Sequence, residues 1–162
     1  MANIPDTPDT LAGRMRAEGE KTVEFFSAIS TDSWEQTIYT DGSSWAVRQI
    51  LAHFVSTEAA FGRLIQNIQA GGHGAPDDFD INAYNERKVA SLGPVSPPEL
   101  LHQFDRFRQR NIEMVSKMSQ ADLARQGRHP FLGKTELVEI IKLLYRHNQI
   151  HQRDIRKYLA GL

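Results

Sequence analysis

Four stretches of the chain carry apolar residues three and four positions apart, the spacing that lines one face of an α-helix. The first, Thr10–Ile29, has Leu11, Met15, Phe25, Phe26 and Ile29 in its stripe, with Glu18 and Thr22 falling inside it. The second runs from about Ala46 to Ala70 and presents Val47, Ile50, Leu51, Phe54, Phe61, Leu64, Ile65 and Ile68, with His53 at the edge and Thr57 pointing inward. A third starts after Ser96, a cap followed by proline in the first turn. It carries Leu100, Leu101, Phe104, Phe107, Met114, Val115 and Met118, with Asn111 in mid-stripe. The fourth runs from about Thr135 to Ala160: Leu137, Ile140, Ile141, Leu143, Leu144, Ile155, Tyr158 and Leu159 fall on one side and Glu139, Lys142, Arg146, Gln149, Arg153, Arg156 and Lys157 on the other. No segment alternates with the period of a strand. The pattern predicts an all-α fold, a four-helix bundle forming one domain over residues 1–162.

The connections are unequal. Ser30–Ser44 is polar and ends in Asp-Gly-Ser-Ser, a turn and helix-start signal that offers Ser43 or Ser44 as cap of the second helix. Gly71–Pro98 is the longest irregular stretch and holds one short helical candidate, Asn82–Ser91. A connection of that length is a crossover between distant helix ends or a functional loop. Ser119–Ala124 reads as a short turn, and a loop through His129-Pro130-Phe131-Leu132-Gly133 leads into the last helix.

Composition narrows the chemistry. A length of 162 residues suits one real core, and 24% charged residues with net charge −1 leave no basic excess. That balance argues against nucleic acid as a partner. The N-terminus MANIPDTPDT has no apolar signal core, and no apolar run approaches the ~18 residues of a membrane span. The expectation is a soluble, cytoplasmic protein with no membrane partner. There is no cysteine, so disulfides, thiolate metal sites and a protein thiol nucleophile are all excluded. A metal must sit on His, Asp, Glu or Asn, and a reacting thiol must come from outside.

The polar residues inside the apolar stripes are the candidate site. His147 and His151 sit one turn apart in the middle of the last stripe and point into the core. Two buried imidazoles cannot both be protonated without a counter-charge, and each neutral ring still needs partners. A shared metal ion answers both needs. The other reading is a pair of core or pocket-lining histidines bonded to water or to Asp154, which lies at the stripe's edge and is better placed to orient an imidazole than to bind metal. His53 reads either as a ligand or as a helix-edge histidine. Glu58 is about 140° around the helix from His53 and is a poor co-ligand for the same ion. Glu18, Thr22, Thr57 and Asn111 are polar lapses in their own stripes, and together they suggest a polar pocket inside the bundle. His73, His102 and His129 read as ordinary surface residues.

SWAVRQILAHFVSTE (Ser44–Glu58), followed some ninety residues later by RHNQIHQRDI, resembles the DinB/YfiT-like superfamily. The shared features are a Trp before the second helix, a histidine in an ILAH context and an HxxxH on the last helix. The segment FDINAYNERKV (Phe79–Val89) is similar to DinB-like and mycothiol-dependent maleylpyruvate isomerase-like sequences, and Asn85 within it joins the pocket candidates. The resemblance implies a bundle with a long crossover between helices two and three. It also implies a divalent-metal site, zinc or nickel, on His53, His147 and His151. Ala46 departs from the Ser or Thr often found as helix cap there. Relatives of this kind include isomerases and transferases that use low-molecular-weight thiols such as bacillithiol or mycothiol.

The resulting expectation is a metal-dependent enzyme that hydrolyses a small electrophile or transfers a small thiol to it. Three imidazoles leave a coordination position open, as catalytic sites do, and Glu18, or Asp154 through a histidine, would handle the proton. Two alternatives compete with it: a non-catalytic bundle that sequesters a small ligand in a stress response, and a structural homodimer built on an exposed apolar helix face.

Overall fold

The computed structural model describes residues 2–161. Four long helices form the bundle: α1 (Pro8–Ser27), α2 (Val47–Gln69), α4 (Pro97–Ser116) and α6 (Leu137–Leu159). The crossover carries α3 (Ile81–Ser91), and a single turn, α5 (Gln120–Leu123), follows α4. Each of α1 and α2 packs on both α4 and α6, so the consecutive helices α1 and α2 stand at opposite corners. The crossover is the connection from the far end of α2 that this arrangement demands, with α3 lying against α2.

Helix starts follow local chemistry. Thr7 accepts from the backbone N–H of Thr10 and caps α1, while Ser96 caps α4 as its sequence predicts. The expected caps of α2, Ser43 and Ser44, lie instead in a turn. The side chain of Gln49 reaches back and accepts from the Ala46 N–H at 2.7 Å, so a residue inside the helix does the cap's work.

Two short hairpins depart from the all-helical expectation. β1 (Thr37–Tyr39) pairs antiparallel with β2 (Trp45–Ala46), directly before α2. β3 (Gln126–His129) pairs with β4 (Gly133–Glu136), directly before α6. Both thus sit at the entrances of the two helices that bear the site histidines. Gly74 in the crossover bridges to Arg128 of β3, with the Arg128 N–H donating to His73 O and the Ala75 N–H to Arg128 O, both at 2.8 Å. Gly74 has φ +84°, and a Cβ there would strike the Arg128 backbone, so only glycine permits the junction.

The core is split along the bundle axis. One cluster gathers Leu11, Met15, Ile65, Ile112, Val115 and Ile140, and the other Phe26, Ile50, Phe54, Leu100, Phe104 and Ile155. Burial of each such side chain stabilises the fold by roughly 1.5–3 kcal/mol. Polar side chains occupy the same helices between these clusters: Thr22, His53, Glu58, Arg108, Asn111, Asn148 and Gln152 are all buried.

Candidate metal centre and its pocket

The polar side chains inside the bundle divide into separate groups, with His53 buried and His147 and His151 half-buried. His53 from α2 and His147 and His151 from α6 converge: the Nε2 atoms of His53 and His147 lie 2.9 Å apart, and those of His147 and His151 3.0 Å. Among the described residues this is the cluster of His, Asp or Glu side chains that could hold a metal ion. Trp45, from β2, packs its ring on His53 with centroids 4.9 Å apart, and Phe54 backs His147 and His151.

Burial keeps these rings neutral. It pushes His53 down to about 3, with the neighbouring charge of His151 acting the same way. His147 is held well below its ordinary range by burial and then by His53 and His151, against a small opposing effect of the Asn148 amide. His151 is lowered by burial, partly offset by Asp154.

Tyr39 and Asp154 fix the tautomer of His151. The Tyr39 hydroxyl donates to Asp154 Oδ2 at 2.6 Å and also lies 2.8 Å from His151 Nδ1. Its single proton is committed to the carboxylate, so His151 Nδ1–H must donate to the tyrosine oxygen. His151 Nε2 is then a lone pair aimed at the other two rings. His147 Nε2 carries at most one proton and cannot satisfy both neighbours. A divalent cation accepted by all three lone pairs resolves that conflict, and the donor set fits one. The outer support is uneven: His53 Nδ1, His147 Nδ1 and Asn148 Nδ2 are buried without a partner among the described residues.

His53 and His147 open onto a cavity of about 620 Å³ between α2, α6, the crossover, α3 and the β3–β4 turn. That volume suits a small-molecule ligand. Thr57 and Asn85 line it. Its walls are mostly apolar, including Phe61, Leu64, Phe79 and Leu143.

Three sequence candidates lie elsewhere. Glu18 pairs with Lys21 at 3.0 Å on a groove between α1 and α6, away from the histidines. Thr22 donates to Glu18 O and accepts from Gln152 Nε2 at 2.7 Å, tying α1 to α6. Asn111 donates to Glu58 O and Oε2 and belongs to a buried pair in which Arg108 meets Glu58 at 2.5 Å. A helical stripe gives an angle around the axis but not the neighbour at that height, and here the neighbours differ. Glu58 is indeed no co-ligand, because Arg108 and Asn111 occupy its carboxylate.

Asp154 reaches His151 only through Tyr39, a residue that its polar surroundings in the sequence conceal. His129 is the other omission. It is 4% exposed rather than on the surface, and it lines the cavity. Its burial arises where the β3–β4 hairpin folds over α2, which no helical periodicity records. His73 and His102 are exposed.

A four-helix bundle whose second and last long helices bring three imidazoles together, two of them at the wall of a cavity, defines the class. The chain belongs to the DinB superfamily, whose family model matches residues 14–155. Among solved structures it is similar to YfiT from Bacillus subtilis, described as a probable metal-dependent hydrolase with an unusual four-helix bundle topology (16% identity, TM-score 0.78, 99% of this chain and 92% of that one). It is also similar to the mycothiol-dependent maleylpyruvate isomerase (15% identity, TM-score 0.76), where it covers 96% of itself but only 63% of the isomerase chain. The chain therefore spans less than two thirds of that relative. A third likeness is to the colibactin self-resistance protein ClbS in complex with a dsDNA (12% identity, TM-score 0.69, 96% and 98% covered). A bundle of this fold can thus engage a duplex, and the exclusion of nucleic acid drawn from charge balance is not supported. No curated protein matches the sequence. No helix among the described residues is long and apolar enough to cross a membrane.

Proposed function

We propose that the protein is a metal-dependent enzyme acting on a small electrophile, either hydrolysing it or transferring a low-molecular-weight thiol to it. The observation that carries this reading is the convergence of three imidazole Nε2 atoms, with His53 and His147 at the wall of a mostly apolar cavity. His53, His147 and His151 would hold a divalent ion, and three imidazoles suit zinc or nickel among the first-row metals that such donors accept. Such an ion, when bound, lowers the pKa of water or of an incoming thiol and supplies a nucleophile near neutral pH. The protein's own part is to orient and to exclude water. Tyr39 and Asp154 hold His151 in the Nε2-lone-pair tautomer, while Thr57 and Asn85 offer polar contacts on the wall of a mostly apolar cavity. With no cysteine in the chain, a thiol is a second substrate.

Untagged protein purified without chelator or a nickel column should contain about one divalent ion per chain, and His53→Ala and His151→Ala should lose it while keeping their helical circular dichroism. Absence of metal from the wild type, even after incubation with zinc and nickel, would sink the catalytic reading and leave a ligand-sequestering bundle.

A further inference from the structure

His129 shares the cavity with His53 and His147 of the histidine cluster but presents the opposite chemistry. Its Nδ1 accepts two backbone hydrogen bonds, from the Phe131 N–H at 3.0 Å and the Leu132 N–H at 3.2 Å. A nitrogen that accepts twice carries no proton, so the neutral ring is locked as the Nε2–H tautomer. Protonating Nδ1 would set it against two amide donors and break the β3–β4 turn. The ring is further held by Phe61, with centroids 5.1 Å apart. Nε2–H has no protein partner among the described residues and, unlike His53 Nδ1 and His147 Nδ1, it stays accessible, although only 4% of the residue is exposed and the residue lines the cavity. A molecule that fills the cavity and displaces solvent from this donor must offer it an acceptor, because a desolvated donor is costly to leave unmade.

We propose that His129 determines specificity: its Nε2–H, locked by the Phe131 and Leu132 amides, donates to an acceptor oxygen of a small carbonyl compound whose apolar body fills the cavity. The walls set the body. Phe61, Leu64, Phe79, Ile81 and Leu143 accept an aryl or branched alkyl group. The donor sets the polar end, because a ring that cannot accept at Nε2 rejects an ammonium or another group that only donates. This inference deepens the proposed function, resting on the same cavity as the substrate site, but it does not depend on metal.

The test uses the full chain, metal-free and zinc-loaded, with two probes of nearly equal shape, acetophenone and α-methylstyrene, which differ by a carbonyl oxygen against a methylene. Two variants separate the ring's duties. In His129→Asn the amide oxygen falls where Nδ1 was and keeps the turn, while the amide nitrogen falls near Cδ2, short of the Nε2 position, so the donor that reaches into the pocket is lost. In His129→Gln the amide nitrogen falls near Nε2 and keeps the donor. By NMR titration, His129→Asn should weaken acetophenone about two- to tenfold relative to α-methylstyrene, the net value of one hydrogen bond, and His129→Gln should retain the wild-type preference. Nitrogen-15 shifts of wild-type His129 at neutral pH should show the Nε2–H tautomer. The inference fails if the two probes change in parallel in His129→Asn, if neither binds the wild type, or if the ring is Nδ1–H or doubly protonated. Zinc refusing the three-histidine site would refute the metal reading and leave the probe comparison in metal-free protein intact. Zinc binding with parallel probe losses would refute this inference alone.

Discussion

Tyr39 shows how much a single hydroxyl can decide. One proton passed to Asp154 forces His151 to donate from Nδ1 and so frees Nε2 for a cation. Tyr39→Phe removes that constraint without altering the ligand set. Zinc should still bind at about one ion per chain, but roughly 10–100-fold more weakly, the usual effect of losing an outer partner of a ligating histidine. Competition with a chromogenic chelator measures it, and unchanged affinity would show that the tyrosine does not orient the ring. The histidines themselves were legible because they interrupt apolar stripes, where a polar residue must have a reason to be. Tyr39 was not, since in a polar segment nothing distinguishes an inward-turned phenol from an exposed one.

Between helices, the decisive contact is Arg108. Fully buried, it joins Glu58 of α2 through Nε and Nη2 and donates from Nη1 to Met15 O of α1 at 2.9 Å. Gly19 leaves the space it needs, since a Cβ there would lie 2.9 Å from Arg108 Cγ. Arg108→Ala would strand the Glu58 carboxylate in the core and should cost about 3–5 kcal/mol in urea unfolding, with metal content unchanged. Loss of metal in that variant would show that the two polar groups are one network. Apolar periodicity was enough to locate the long helices and their crossover. It could not reveal the hairpins, whose strands are two to four residues long and too short to show alternation. Nor could it separate Asn111, held by Glu58, from Thr57, which faces the cavity.

For the molecule as a whole, the buried neutral histidines tie stability to pH. Burial pushes His129 down to about 4, so between that value and the ordinary histidine pKa of ~6.5 the unfolded chain takes up a proton that the fold refuses. Stability from this source is complete above ~6.5 and declines as the pH falls towards 4, by up to ~1.4 kcal/mol per pH unit. His129→Asn, which does not titrate, should flatten the urea-stability profile of metal-free protein across this window. An unchanged slope would mean that His129 is protonated in the fold. The Gly74–Arg128 junction also bears on the cavity's kinetics. Because the crossover and the β3–β4 hairpin share backbone hydrogen bonds there, neither wall can leave α2 without dragging the other. Admission of a ligand is then one cooperative opening rather than two independent ones, with a single rate that is insensitive to which wall the ligand meets first.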